Sequence, residues 1–253
     1  MTRRSTTPDS SAAMATTKGG QTRARILESA LNLFLERGYE ETTMRVVAEA
    51  AGVSLGNAYY YFESKEQLVQ AFYERSHREH VERCEPLLAS ERDFRRRLMV
   101  TIVAKIDTSE PYHRFSGVLF RSAADPLSPL NPFSGASAHV REEAVALMAE
   151  VIDGSALDPP ADLRAELPYL LWLYEMGIIL FWIFDTSRDR TRTRVLVDRT
   201  VPIVTRLISL GANPLLRPLR RSVLSLLREL RDGPPPKSRS AAARHSTTAT
   251  DGD

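Results

Sequence analysis

The stretch from Thr42 to Lys65 is rich in hydroxyl, phenol and amide side chains, all of which form hydrogen bonds. Two adjacent threonines stand at the predicted start of a helix, where free backbone amides and the helix dipole favour an anion. Two tyrosines further along can bond phosphates or stack on sugars, and a lysine opens a later helix. We therefore predict five phosphate contacts in this stretch: Thr42, Thr43, Tyr59, Tyr60 and Lys65.

Some of these side chains have purely structural alternatives. Thr42 could serve only as a helix cap, and the aromatic run that ends at Phe62 could only fill a core. A helix of about six residues cannot bury every side, so we assign Phe62 to the core but not all of the tyrosines before it.

The segment from Thr42 to Phe62 has the spacing of a helix-turn-helix. Ala48 and Gly52 stand four residues apart, where a small residue lets the second helix approach and a glycine turns the chain with positive φ. Ser54 caps the next helix, whose N-terminal residues enter the major groove of DNA in this motif. The predicted base-edge contacts are Arg45, Ser54, Leu55, Gly56 and Asn57. For the arginine, a solvated or ion-paired position is the alternative.

Residues for catalysis, metal binding or redox chemistry are sparse. The single cysteine, Cys84, excludes an intramolecular disulfide framework and any multi-cysteine metal site, and we interpret it as a packing residue rather than a redox sensor. His77 and His80 lack metal-ligand spacing, and His113 and His139 stand alone, so we predict surface or structural roles for them. No Ser-His-Asp arrangement is recognisable. We therefore expect neither an enzyme nor a protein with a cofactor or metal.

Apolar periodicity predicts helices along nearly the whole chain, and 12 glycines are too few for a β-rich protein, so the predicted fold class is all-α. Thr22 is the predicted cap of a first helix ending at a left-handed Gly38, and Ser64 and Gln67 form a capping box for a fourth helix. The predicted helices run from Thr22 to Gly38, from Thr42 or Thr43 to Ala51, from Ser54 to Phe62, and over about 65–83, 92–108, 112–124, 136–153, 162–185, 191–210 and 214–231.

Prolines and apolar residues give further expectations. Pro202 should kink or interrupt its helix, and Asp158 followed by Pro159 should cap another. Residues 167–184 form the most apolar segment, but the central Glu175 favours a buried helix over a membrane span. The N-terminus lacks the apolar run of a signal peptide, so we expect a cytoplasmic protein that does not enter a membrane.

The stretch from Arg23 to Leu68 resembles the DNA-binding domain of the TetR family. It carries a Gly-Tyr pair near the end of the first helix, Thr-Thr before the second, A-x-x-A-G-V-S at the turn, Y-Y-x-F at the third helix and S-K-E at the fourth. Ala58 and Tyr61 depart from the pattern, since many members have a larger aliphatic residue and a histidine there. The net charge of +2 does not indicate nucleic-acid binding by itself, so the prediction rests on these motifs.

The resemblance implies a TetR-type transcriptional regulator, a repressor, with an N-terminal three-helix DNA-binding domain and a larger C-terminal helical domain for ligand binding and dimerisation. In this family the last two long helices form a four-helix bundle with their mates, and effector binding changes the separation of the two DNA-binding heads. The predicted divisions are a disordered 1–20, a DNA-binding 21–68, an effector-binding and dimerisation 69–212, an extra basic helix 213–232 and a disordered 233–253.

A homodimer also follows from the short recognition helix. One such helix touches about three or four base pairs, which gives too little discrimination to find one site in a genome. Two copies related by a two-fold axis require a near-palindromic site on double-stranded DNA.

The larger helical part contains aromatic residues that could line a pocket for a small apolar effector, with Glu175 as a polar anchor, or could simply be core. The candidates are Tyr112, Phe115, Phe120, Trp172, Glu175 and Met176, together with Tyr174 and Trp182. The basic last helix packs on the body or contacts DNA or a membrane surface.

The sequence therefore leaves three functions open. The first is a ligand-responsive repressor. The second is a helix-turn-helix factor whose body binds a protein partner or no ligand. The third is an enzyme with an unrecognised helical site, which needs catalytic groups that the sequence does not show.

Overall fold

The computed structural model describes residues 17–232, which form helices and connecting turns with no β-strand in that range. The predicted all-α fold class is therefore confirmed. The α-helices are α1 (Lys18–Arg37), α2 (Met44–Ala50), α3 (Leu55–Tyr61), α4 (Lys65–Ser90), α5 (Phe94–Ser109), α6 (His113–Ala123), α7 (Ala138–Asp153), α8 (Ala161–Phe184), α9 (Thr191–Gly211) and α10 (Arg217–Asp232).

Helix α1 begins earlier than predicted. Thr17 is its N-cap and accepts a hydrogen bond from the Gly20 N–H at 3.1 Å. Thr22 lies inside the helix, where its hydroxyl donates to the Lys18 carbonyl at 3.0 Å, so the predicted cap was wrong. Residues 18–20 are helical rather than part of a disordered tail. The rest of the two predicted tails, residues 1–16 and 233–253, lies outside the described residues.

Short polar side chains set the starts of the next three helices. Thr43, Ser54 and Ser64 each accept a hydrogen bond from the backbone N–H three residues later, as N-caps do. The predicted capping box closes differently, because the Gln67 side chain accepts from the Glu63 N–H at 2.9 Å and not from that of Ser64. The side chains of Ser64 and Gln67 therefore both stabilise the start of α4.

Helices α1, α2 and α3 and the start of α4 form a small head around one apolar core. Ile26, Phe34, Val47, Ala58 and Phe62 are almost completely buried in it. Gly52 turns the chain between α2 and α3 with a φ of 64°, which is the left-handed conformation that glycine adopts without strain. Gly38 has a φ of 91° and a ψ of 161°, so it does not form the predicted left-handed cap.

The head core extends into α6. The Phe115 ring stacks on Phe34 of α1 with centroids 5.5 Å apart, and it meets Phe72 of α4 edge-on at 5.3 Å. Leu119 of α6 and Leu130 of the following loop are buried in the same core. Head and body are therefore joined by packing as well as by the continuous helix α4.

A second core fills the body between α4, α5, α7, α8 and α9. Leu98, Ile102, Met148, Leu171 and Trp182 are among its most buried members. Helix α8 is long and apolar enough to span a membrane by length and composition, but it contributes several side chains to this core. Its packing supports the interpretation as a buried helix.

The buried Arg97 of α5 ties three segments of the body together. Its guanidinium donates to the carbonyls of Leu88, Glu91, Glu150 and Val151 at 2.6 to 2.8 Å. These carbonyls lie at the C-terminal ends of α4 and α7, where many backbone acceptors lack a partner within the helix. Arg97 therefore anchors the far end of α4 in the body.

The structure corrects two expectations about prolines. Helix α9 continues from Thr191 to Gly211 through Pro202, so of the two predicted effects, a kink or an interruption, the interruption does not occur. Tertiary packing on both sides of the proline, through Val201 and Ile208, offsets the one missing hydrogen bond. Helix α8 begins after Pro160, and Asp158 does not cap it but accepts a hydrogen bond from Arg164 at 3.2 Å.

Helix α10 packs on the N-terminal half of α8. Leu224 is buried there, and three ion pairs reinforce the contact. They join Arg220 to Asp162 at 3.0 Å, and Arg228 and Arg231 to Glu166 at 2.7 Å each. Leu219, Leu226 and Leu230 of α10, and Leu215 in the turn before it, stay exposed.

Candidate nucleic-acid interface

The N-terminal turn of α3 is presented to solvent. Ser54 is exposed and caps the helix through the Asn57 N–H at 3.1 Å, while Gly56 and the Asn57 side chain are also exposed. Leu55 is half-buried against the head core, so its side chain is less available than its neighbours. A capped and exposed helix start of this kind can enter a major groove.

Arg45 and the two predicted tyrosines also lie on the surface. The Tyr60 side chain is 79% exposed and Tyr59 is 46% exposed, whereas Tyr61 packs against the head core. Arg45 of α2 is exposed, and no hydrogen bond or ion pair of its side chain is found within residues 17–232. All three predicted side chains are therefore accessible to a ligand.

The structure does not support the predicted phosphate contact at Thr42. Its side chain is completely buried, and its hydroxyl donates to the Gly38 carbonyl at 2.8 Å. The neighbouring Thr43 is exposed and is the actual N-cap of α2. Of the two adjacent hydroxyls, only that of Thr43 lies at the surface, because Thr42 closes the loop after α1.

Lys65 is also engaged within the protein. Its ammonium group donates to the carbonyls of Tyr39 at 2.8 Å and Glu40 at 3.3 Å, and it lies 4.4 Å from the centre of the Tyr39 ring. The lysine therefore holds the loop between α1 and α2 against the start of α4. This position does not support its predicted role as a free phosphate clamp.

Tyr39 and Glu66 complete this contact, and the sequence reasoning missed both. The Tyr39 hydroxyl donates to the Glu66 carboxylate at 2.9 Å. Burial, followed by the hydrogen bond and charge of Glu66, raises the pKa of Tyr39. Burial alone would raise the pKa of Glu66, but hydrogen bonds from Ser64, the Glu66 backbone and Tyr39 bring it below its usual range. The Gly-Tyr pair at residues 38 and 39 marks Tyr39 as a residue of interest in the sequence. It does not show that the partner of Tyr39 is Glu66, 27 residues further along the chain.

A cavity of about 200 Å³ lies in the body, between α4, α5, α6, α7 and α8. Five of the predicted pocket residues line it, and so does Trp182; the five are Tyr112, Phe120, Trp172, Glu175 and Met176. Phe115 is not in its wall, because the ring belongs to the head core. Tyr174 faces away as well, with its hydroxyl 2.6 Å from that of Thr200.

Among the described histidines, His77 lines the cavity, His139 lies at the surface, and His80 and His113 make contacts within the protein, as Cys84 does. Burial lowers the pKa of His80 to about 3, and its neutral ring donates to the Thr101 carbonyl at 2.9 Å. His113 donates to the Trp182 carbonyl at 2.8 Å, and His139 lies at the surface beside Glu143. Burial raises the pKa of the Cys84 thiol to about 12, so it stays protonated at neutral pH and is poorly reactive.

Comparison with known families identifies both parts of the chain. Residues 26–72 match the family model described as bacterial regulatory proteins of the tetR family. Residues 97–226, just over half of the chain, match the model described as the tetracyclin repressor-like C-terminal domain. The chain belongs to the TetR family. It is thus a transcriptional regulator whose α2 and α3 form a DNA-binding helix-turn-helix, as the resemblance implied.

Curated relatives of this TetR-family chain match it over the head. The transcriptional regulator TtgR of Pseudomonas putida is 43% identical over 60 residues, which are 24% of this chain and 29% of that protein. The repressor KstR2 of Rhodococcus jostii is 47% identical over 47 residues, 19% of this chain and 23% of that protein. The matches thus span less than a third of these relatives.

Solved structures share the fold over most of this chain. Salmonella enterica GusR has a TM-score of 0.56 at 19% identity, with 77% of this chain and 99% of that chain covered. Thermus thermophilus FadR, a repressor solved in complex with lauroyl-CoA, has a TM-score of 0.54 at 24% identity, with 71% and 92% covered. The arrangement of an N-terminal helix-turn-helix and a C-terminal helical domain is therefore that of the family.

Proposed function

We propose that this TetR-family regulator is a cytoplasmic repressor that binds a near-palindromic operator as a homodimer and is released by a small, largely apolar effector. The observation that carries the proposal is the exposed start of α3, with Gly56 and Asn57 in its first turn. The curated relative KstR2 is itself described as a repressor, which supports the direction of the regulation.

The exposed side chains of the head divide into two groups by the chemistry that they offer. Arg45, Ser54, Gly56 and Asn57 surround the helix start and suit base edges, since arginine and asparagine form paired hydrogen bonds with guanine and adenine. Leu55, half-buried, adds at most an apolar contact. Thr43, Tyr59 and Tyr60 offer hydroxyls to the flanking phosphates.

Dimerisation is supported by an apolar surface on α8 and α9. Large apolar side chains that are between 43% and 60% exposed on these helices include Leu180 and Phe181 on α8 and Ile203, Leu207 and Leu210 on α9. Extensive exposed apolar surface on a folded protein often marks an interaction site. A two-fold symmetric contact through it would present two heads to one duplex.

Helix α6 offers a route from the cavity to the head. Phe120 and Ser116 line the cavity, whereas Phe115 on the other side of the same helix stacks on Phe34 of α1. Helix α4 joins the same two regions, because Phe72 touches both the cavity and Phe115. An effector that shifts α6 or α4 would therefore change the position of the head, with a coupling of about 1–3 kcal/mol.

Footprinting tests this function directly. The purified protein is incubated with the DNA upstream of its own gene, with and without an unrelated duplex as competitor, at several salt concentrations. We expect protection of one near-palindromic site, with a stoichiometry of two chains. Protection that follows no sequence, or a footprint from a single chain, contradicts the proposal.

A further inference from the structure

The cavity in the body has walls of two kinds. Aromatic and aliphatic side chains form most of its surface, among them Phe120, Trp172, Met176 and Ile179. Polar side chains interrupt this surface, and they differ in whether the protein satisfies them. Tyr73 donates to the Leu130 carbonyl at 3.4 Å, and the Tyr112 hydroxyl accepts from Arg75 at 2.9 Å. Arg141 donates to the Pro132 and Ser134 carbonyls.

Among the described polar residues of this wall, Glu175 alone has a fully buried side-chain atom without a hydrogen-bond partner. The side chain is 2% exposed, it lines the cavity, and its Oε1 atom is buried without a hydrogen-bond partner within residues 17–232. A buried acceptor without a partner is costly, and a carboxylate more so than a neutral group. A bound molecule that donates a hydrogen bond to this oxygen would remove that cost.

The charges around Glu175 restrict the kind of ligand group that can donate a hydrogen bond to it. Lys105 lines the same cavity, and Arg141 adds a second positive charge to the wall. Burial raises the pKa of Glu175 to about 7, and the Lys105 charge partly opposes this effect. Burial and the same lysine lower the pKa of His77, so that imidazole is neutral at pH 7.

These charges disfavour an ionised donor at Glu175. An ammonium group there would add a positive charge to a wall that already holds Lys105 and Arg141, and a carboxylate group has no proton to donate to Glu175. A neutral donor such as a hydroxyl group satisfies Glu175 without adding a charge. The volume of the cavity also limits the size of the ligand. For comparison, an apolar cavity of about 150 Å³ binds benzene. About 200 Å³ therefore suits one ring with short substituents.

We propose that the effector is a small neutral molecule with an apolar, single-ring body and a hydroxyl group that donates a hydrogen bond to the carboxyl group of Glu175. The inference rests on the proposed function in one respect, since it assigns the bound molecule the role of effector. Binding itself is measured without DNA, so the two proposals fail separately.

Four probes of similar size test the head group. 4-Ethylphenol, 4-ethyltoluene, 4-methylbenzylamine and 4-methylbenzoate carry a hydroxyl, a methyl, an ammonium and a carboxylate group respectively. Isothermal titration of the full chain at pH 7 should give the phenol an affinity at least roughly tenfold higher than each of the others, as expected for one buried hydrogen bond. Equal or tighter binding of any other probe, or no binding of the phenol, overturns the inference.

Variants of the protein test whether Glu175 is the group that accepts the hydrogen bond from the ligand. Glu175→Leu removes the acceptor and should reduce the preference for the phenol over 4-ethyltoluene to within about twofold. Glu175→Gln keeps an acceptor oxygen and should retain the preference. Glu142→Gln, at an exposed position of α7, is the matched control and should change nothing. A preference that survives Glu175→Leu overturns the assignment; if that variant does not fold, the probe series on the wild type decides.

The outcome for the effector is separate from the outcome for the repressor. A protein that protects its operator but discriminates none of the probes refutes this inference and leaves the proposed function standing. A protein that prefers the phenol but protects no DNA refutes the proposed function alone. When both hold, the phenol should release the operator, and Glu175→Leu should require a higher concentration.

Discussion

Asn57 lies in the first exposed turn of α3, where a side chain can reach a base without moving the backbone. Its amide offers a donor and an acceptor in one plane, which matches the edge of adenine. Tyr60, one turn further along, offers a hydroxyl that suits a phosphate. Residues of similar polarity on one short helix thus have different expected effects on specificity and affinity.

Replacing Asn57 by alanine should relax base preference at one position in each half-site. The expected loss is about 1–3 kcal/mol for the preferred base, with little change for the others. Binding to a set of single-base operator variants measures it. Tyr60→Phe is the comparison, since it should weaken all the operators alike; the same loss of preference in both variants would contradict the division of roles.

Lys65 gives a second prediction at this scale, because its ammonium group bonds two carbonyls of the preceding loop. Lys65→Met keeps most of the stem and removes the donors. We expect the free energy of unfolding to fall by about 1–3 kcal/mol, with an unchanged slope of operator affinity against salt. Thermal melting and salt titrations measure the two quantities. A slope lowered by about one, without loss of stability, would restore the phosphate role.

At the scale of elements, the turn between α8 and α9 is organised by one carboxylate. Asp185 is buried and accepts from the backbone and hydroxyl of Ser187 at 2.9 and 2.6 Å, and from those of Thr193 at 2.8 and 2.7 Å. Burial alone would raise the pKa of Asp185, but these four hydrogen bonds hold it far below its ordinary range. The position of α9 against α8 depends on this turn.

Asp185→Asn should therefore destabilise the protein, and the effect should depend on pH. A carboxyl group with a lowered folded-state pKa contributes stability above the unfolded value of about 3.9 and loses it as the pH falls towards the folded value. The difference in unfolding free energy from wild type should be constant near neutral pH and should shrink below about pH 4. Denaturant titrations at several pH values measure it. Asp189→Asn, in the exposed part of the same turn, should show no such trend.

At the scale of the molecule, a movement of each head changes the spacing of the two heads in a defined way only if the dimer fixes one body against the other. Leu207 lies in the centre of the exposed apolar stripe of α9 and is 60% exposed in the single chain. In a dimer built through α8 and α9 this side chain would be buried, and an unpaired charge there would be costly.

Leu207→Glu should weaken the dimer by on the order of 100-fold or more and should lower operator affinity with it. Light scattering over a concentration series gives the dimer dissociation constant. Leu127→Glu, in an exposed loop away from α8 and α9, is the control and should leave the mass unchanged. A Leu207→Glu protein that remains a full dimer would place the interface elsewhere.

Local signals predicted much of the fold, whereas contacts distant in sequence were missed. Caps such as Ser54 and Ser64, and apolar periodicity, depend on neighbours within a few residues, and most helices lie close to where these patterns placed them. Nothing local shows that Phe115 packs on α1 or that Lys65 reaches a loop 26 residues earlier. Phe115 and Lys65 differ from their predicted roles for this reason, since tertiary partners decide which polar or aromatic side chains remain available. Thr42 differs for a local reason, because its hydroxyl donates to the Gly38 carbonyl four residues earlier.

The length of α4 turns a small rotation into a large displacement. Its 26 residues extend about 39 Å at 1.5 Å per residue, from the head to the end held by Arg97. With that end as a pivot, a tilt of about 5° carries the Lys65 end through about 3 Å, close to the 3.4 Å step between base pairs. Two heads tilting in opposite directions double the change. A dimer of this geometry could therefore lose its register with DNA while each head stayed intact.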